Sequence, residues 1–198
     1  MTVGEPDLVR RYQLALIACH ECAITGAGEA LDRLDLAESQ RLTAPDALLQ
    51  AALYYAEHGL SVFPIRPNSK IPLPGSRGFK DATTDPVVIR KWWTANPQAN
   101  IGTPTGTLWD VVDVDAPTGW WSLARRPEML ERLDAASLGR VLTPSGGAHF
   151  LVKLSNQGNS AALIPGVDFR GTGGYVVAPP SIIDGILYRW ADVPELLK

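Results

Sequence analysis

Apolar residues follow two periods along the chain, and the change between them marks the elements. In the first 45 residues Leu8, Tyr12, Ala15 and Cys19 recur at helical spacing, Gly26-Ala27-Gly28 interrupts, and a second helical stretch runs from Glu29 to about Gln40. Residues 1–45 carry no recognisable chemistry and are expected to be a helical extension packed on the main domain or on a partner. Thr43 offers an N-cap and Pro45 stands near the first turn of a helix over Asp46–His58, which Gly59 is placed to end. Ala51, Leu53, Tyr54 and Tyr55 are available for its buried face. Leu60–Ile65 reads as a short strand, and 66–84 as a Pro/Gly-rich loop. Asp85 caps a helix that Pro86 opens and Asn96-Pro97 stops, with Trp92 and Trp93 expected in a core or groove wall.

Beyond Asn100 the period shortens to two. Asn100-Ile101-Gly102 begins an extended segment, Pro104–Gly106 turns, and Trp109–Asp115 reads as a buried strand. One helix is predicted from about Trp120 to Ala135. Thr143–Gly147 is a tight turn feeding a strand, Ala148–Leu154, in which His149, Leu151 and Lys153 share a face. Asn156–Ala161 is read as a polar loop, Gly166–Arg170 as a strand with Asp168 and Arg170 on one face, and Tyr175–Ala178 as extended. Pro179-Pro180-Ser181 forbids a continued ladder. Ile182-Ile183, Asp184-Gly185, Ile186-Leu187 is a hairpin signal, closed by Tyr188, Arg189 and Trp190.

Composition narrows the classes. The chain has 198 residues, 45% hydrophobic and 20% charged, as expected for a globular domain with an appendage. A net charge of −3 gives no global signature of nucleic-acid binding, though a local basic groove remains compatible with it. No apolar run is long enough to span a bilayer, and no signal peptide is visible. Cys19 and Cys22 lack a second ligand pair, so no structural zinc is expected, and His20 beside them reads as a surface or interface residue. A reducing cytoplasm is the expected compartment.

The candidate chemistry begins at Asp113-Val114-Asp115. Both carboxylates face one side of a strand, roughly 6–7 Å apart. Charges this close at the end of an apolar strand repel unless a cation stands between them. Mg²⁺ is held by one or two carboxylates plus substrate phosphates, so a metal-assisted reaction on a phosphate is one reading; a strand running out into solvent is the other. Asp110 falls on the opposite face and is excluded. The loop cations Arg66, Lys70, Arg77 and Lys80 are either a solvated surface or donors to anionic oxygens. Arg125, Arg126 and Arg132 read as a wet helix face, with duplex contact as the alternative.

Asp113-x-Asp115, the Gly-Gly-x-His149 turn and Val167-Asp168 occur in the order of the catalytic signature of the archaeo-eukaryotic primase superfamily. The chain resembles more closely the N-terminal domain of bifunctional DNA primase/polymerases, frequent in plasmids, phages and prophages. The resemblance covers about Ala47 to Trp190, and includes Val62-Phe63-Pro64, Lys70-Ile71-Pro72, Asn100-Ile101-Gly102, Asp168-Phe169-Arg170-Gly171 and Gly173–Ser181. It implies a primase-polymerase fold of α/β (α+β) class: a small N-terminal α/β unit (46–108) packed on an RRM-like catalytic unit (109–198). It further implies Asp113, Asp115 and Asp168 as catalytic, metal-binding carboxylates for two Mg²⁺ or Mn²⁺ ions. His149 would contact the nucleotide's phosphates or sugar, with Arg170 and Lys70 neutralising the triphosphate and Ser145 and Gly147 also in the nucleotide site. No serine directly precedes the Ala148-His149 pair, so either Ser145 takes the place of that hydroxyl or the site goes without it, and no zinc-binding insertion is recognisable.

The expected activity is nucleotidyl transfer by a DNA primase/polymerase, with template DNA and dNTP or NTP as partners. Many family members continue into a helical primase domain or a helicase, so such a domain is an expected partner in trans. The alternatives are a non-catalytic replication module that binds nucleic acid or nucleotide on the same fold, and a metal-dependent nuclease.

Overall fold

The computed structural model of the protein describes residues 46–198. The helical stretches expected within 1–45, the Thr43–Pro45 helix start and the Cys19/Cys22 pair lie outside the described residues. The fold is mixed α+β. In chain order it contains α1 (Ala47–Glu57), β1 (Phe63–Ile65), α2 (Pro86–Ala95), β2 (Asn100–Pro104), β3 (Asp110–Val114), α3 (Thr118–Ala124), α4 (Pro127–Ala136), β4 (Ser137–Leu142), β5 (Ala148–Val152), β6 (Ser160–Ile164), β7 (Val167–Arg170), β8 (Tyr175–Ala178), β9 (Ile182–Ile183), β10 (Ile186–Leu187) and β11 (Arg189–Asp192).

Alternation along the strands builds two layers. An antiparallel six-stranded sheet has the order β11-β4-β5-β3-β7-β6. Val114 of β3, Ala148 and Phe150 of β5 and Val167 of β7 turn to its back face, where Leu123 of α3 and Leu130 and Leu133 of α4 cover them. Val111 and Leu151 turn to the front and join the core of α1 and α2 around Ala52, Tyr55, Ile89 and Trp93. A second sheet, β1-β2-β8, meets this front face, and Phe63, Ile65 and Val177 from it pack with Val141 and Tyr188. The space left between the two sheets at the acidic end of β3 is where the candidate site forms.

Local chemistry sets most boundaries as the pattern predicts. The Asp85 carboxylate accepts from the Val87 N–H at 2.8 Å, with Pro86 at the first helical position. Asp184 and Gly185 both take positive φ, 51° and 77°, the backbone that a two-residue hairpin turn requires.

Elsewhere the outcome differs. The single helix expected over Trp120–Ala135 is two, because Pro127 forces Arg126 out of the helical region (φ −140°, ψ 65°). Pro104 closes β2 rather than opening a turn. The loop expected over Asn156–Ala161 gives way to β6 from Ser160, and β4 forms over Ser137–Leu142, where the pattern predicts no strand. Among the described residues no helix is long and apolar enough to cross a membrane.

Candidate active site

The antiparallel register places Asp113 of β3 directly between His149 of β5 and Asp168 of β7. Neighbouring strands lie about 4.8 Å apart, so three residues separated by up to 55 positions become one cross-strand row. Asp115 follows on the same face, just past the end of β3, where its N–H donates to the Gly166 carbonyl at 2.8 Å. Arg170 stands two residues beyond Asp168. Its Nη2 lies 2.8 Å from Asp168 Oδ2 and 3.6 Å from Asp113 Oδ2. His149 Nε2 is 3.7 Å from Asp113 Oδ1, beyond hydrogen-bond distance, and its Nδ1 is buried with no partner among the described residues.

A cleft of about 440 Å³ opens over this row. Asp113, Asp115, His149, Arg170 and Lys70 line it. Asp168 does not line the cleft itself; its carboxylate is drawn onto Arg170. Lys70 arrives from the Pro/Gly-rich loop, and three contacts fix that loop. Buried Asn100 donates to the Ser69 and Ile182 carbonyls at 3.1 and 2.9 Å and accepts from the Ile182 N–H at 2.9 Å. The Tyr175 hydroxyl donates to the Lys70 carbonyl at 3.1 Å. Asn68 bonds Asp184 at the tip of the β9–β10 hairpin.

Burial is the largest influence on the charges. It raises the pKa of Asp113, an effect that Arg170 and Lys70 partly offset and Asp168 reinforces. Burial and then Asp113 raise Asp115 in the same way. His149 is pushed down to about 3 by burial first and then by Lys70 and Arg170. The imidazole is therefore neutral, and it offers a hydrogen bond rather than a charge to an anion. Burial, Asp113 and Asp115 also raise the Tyr188 hydroxyl, which lines the cleft with its ring 5.8 Å from that of His149.

Among the described residues no three His, Cys, Asp or Glu side chains form a ready-made metal cage. The donors nevertheless suit a hard cation. Asp113 and Asp115 are carboxylates that resist ionising together in a cleft, and a divalent ion between them removes that conflict. Asp168 is the adjacent third carboxylate, held by Arg170.

Not every expected residue converges here. Ser145 is exposed on the β4–β5 turn, its Oγ 3.1 Å from Thr143 Oγ1, and neither it nor Gly147 lines the cleft. Gly147 serves packing: a Cβ there would stand 2.3 Å from the Val114 carbonyl oxygen. Asp110 faces away from the row, as its parity requires, and is buried accepting from Ser155 N–H and Oγ at 2.6 and 2.7 Å. Asn100, Asn159 and Tyr188 also contribute, although the sequence marks Asn100 only as the start of an extended segment, Tyr188 only as the close of a hairpin and Asn159 only as part of a polar loop. Asn159 lines the cleft and accepts from the Gly171 N–H at 3.1 Å. Only the Asn-Ile-Gly step at a strand start hinted at Asn100.

No curated protein matches the chain. The model of the bifunctional DNA primase/polymerase N-terminal domain matches residues 52–197, from within α1 to the chain end and across every side chain of the row, and the chain belongs to that family.

Proposed function

We propose that the protein is a metal-dependent nucleotidyltransferase, a DNA primase/polymerase acting in replication of a plasmid, phage or prophage-type element. The observation that carries this reading is the cross-strand row His149–Asp113–Asp168, with Asp115 beside it and Lys70 and Arg170 in the same cleft. The fold is read as a primase-polymerase fold with an RRM-like catalytic unit. The division into 46–108 and 109–198 is retained, with β8 of the second unit completing the sheet of the first.

Bound Mg²⁺ or Mn²⁺ would stabilise the attacking and leaving oxygens of an in-line displacement at a nucleotide's α-phosphate. Asp113 and Asp115 supply the oxygen ligands that face the cleft, with Asp168 as the third. Lys70 and Arg170 bind triphosphate oxygens through charge-assisted hydrogen bonds. Neutral His149 hydrogen-bonds a phosphate or the sugar and adds no charge. Exchange of Arg170 from Asp168 onto the triphosphate would free that carboxylate as the nucleotide arrives. The same Arg170–Asp168 contact is what favours the second reading, a binding module without turnover.

Primer extension on a primed template with Mn²⁺ and dNTPs separates the readings. Extension by the wild type and none by a folded Asp113→Ala variant is the expected result. Equal extension by both proteins refutes the site. Nucleotide or DNA binding without extension at any metal concentration favours the module.

A further inference from the structure

A second concavity, about 760 Å³, opens between α1, the Pro179-Pro180 turn and the chain end beyond β11. Tyr54, Trp190, Val193 and Leu197 contribute to its walls. Its aromatic polar atoms are already used. Tyr54 donates to the Leu197 carbonyl at 2.9 Å, Tyr55 to the Pro179 carbonyl at 2.7 Å, and Trp190 Nε1 to the Tyr55 hydroxyl at 3.1 Å. The groove therefore offers mainly apolar faces, with Tyr54 41% and Val193 39% exposed, and its recognition chemistry is that of a hydrophobic segment rather than a polar ligand.

Asp46 and Ala47 themselves line this groove, so the preceding chain leaves from its lip. Leu8, Tyr12, Ala15 and Cys19 recur at helical spacing in that preceding chain, and of residues 8–19 only Arg10, Arg11 and Gln13 are polar, so the segment carries the apolar side chains such a groove takes. Residues 20–45 are a tether of 26 residues, long enough even at the helical rise of about 1.5 Å per residue, with Gly26-Ala27-Gly28 as the break, to bring residues 8–19 back to the lip. A tether of that kind holds the segment at an effective concentration on the order of millimolar. The charges also match: Asp46, Glu57 and Arg90 line the groove, while Arg10 and Arg11 lie in the segment and Asp7 precedes it. We infer that the groove is the seat of the chain's own residues 8–19, an intramolecular docking site that does not depend on the nucleotidyl-transfer reading.

Hydrogen exchange read by mass spectrometry tests this on the full chain, comparing wild type with the double variant Leu8→Asp, Tyr12→Asp at two protein concentrations. The expected result is exchange about fivefold or more faster in peptides covering 46–57 and 188–198 of the variant, at both concentrations, with 110–115 unchanged. Equal exchange in the groove peptides overturns the proposal. A difference that vanishes on dilution assigns the groove to a second copy and overturns it as well. A difference spread equally over 110–115 reports general destabilisation and also counts against it.

Discussion

Asp113→Asn is expected to stabilise the metal-free protein while removing its response to metal. Three carboxylates, Asp113, Asp115 and Asp168, face two cations, Lys70 and Arg170, leaving the site at −1 with His149 neutral. Asp113 and Asp168 are paired across neighbouring strands, so their charges, about 5 Å apart, repel by roughly 3 kcal/mol at an effective dielectric of about 20. Arg170, 3.6 Å from Asp113, attracts it by roughly 4–5 kcal/mol on the same scale. Arg170, joined by Lys70, outweighs that repulsion, so the rise of the Asp113 pKa comes from desolvation of a side chain only 18% exposed, which exceeds them all. A carboxylate whose folded pKa is raised is penalised when ionised. The protein thus loses stability as pH rises from 3.8 through the folded pKa, and the loss is complete at neutral pH. Removing the charge should therefore raise the Tm of the metal-free protein above that of the wild type. Mn²⁺ at a hundred times its Kd should stabilise the wild type by roughly 2.7 kcal/mol and the variant hardly at all, inverting their order. Thermal unfolding at pH 7, with chelator and then with Mn²⁺, measures both effects. A variant less stable than wild type without metal, or an equal gain on adding it, refutes the reasoning.

Asn100→Ala removes three hydrogen bonds from a buried clamp and leaves the Ile182 N–H unpaired, which should cost about 2–4 kcal/mol in urea unfolding and raise the nucleotide KM through the freed Lys70 loop. Gly147→Ala drives a Cβ into the Val114 carbonyl and should cost about 1–3 kcal/mol in the same assay, with no demand on the nucleotide. His149, depressed to about 3, makes the metal-free fold lose stability as pH falls below 6.5, by up to about 1.4 kcal/mol per unit; His149→Gln should flatten that slope between pH 6.5 and 4.5. Asp110→Ala should loosen the Ser155–Asn159 loop, seen as faster hydrogen exchange there, while Asp110→Asn retains most protection.

Much of the site could be read from strand parity. Asp113 and Asp115 share a face, as do Asp168 and Arg170, and Asp110 does not, because period two leaves no freedom once a strand is assigned. Periodicity could not say that β5 and β7 flank β3, since register is a property of pairs; that came only as an implication of family resemblance. β4 is not legible in the sequence because Ser137-Leu138-Gly139-Arg140 shows no clean alternation: Leu138 is exposed, and Arg140 is held between Asp134 and Asp192 with its guanidinium 5.4 Å from the Phe150 ring. Tyr188 and Asn159 have no local signature, since what makes them cleft residues is the distant chain they meet. The charge of His149 was likewise invisible, because it depends on burial and on two cations from other elements.

Anomalous diffraction from crystals grown with Mn²⁺ and a non-hydrolysable dNTP tests the central claim most directly. The account predicts Mn²⁺ at about 2.0–2.2 Å from oxygens of both Asp113 and Asp115, with the triphosphate against Lys70 and Arg170. Manganese bound elsewhere, or a nucleotide held in the cleft with neither carboxylate ligating metal, contradicts it.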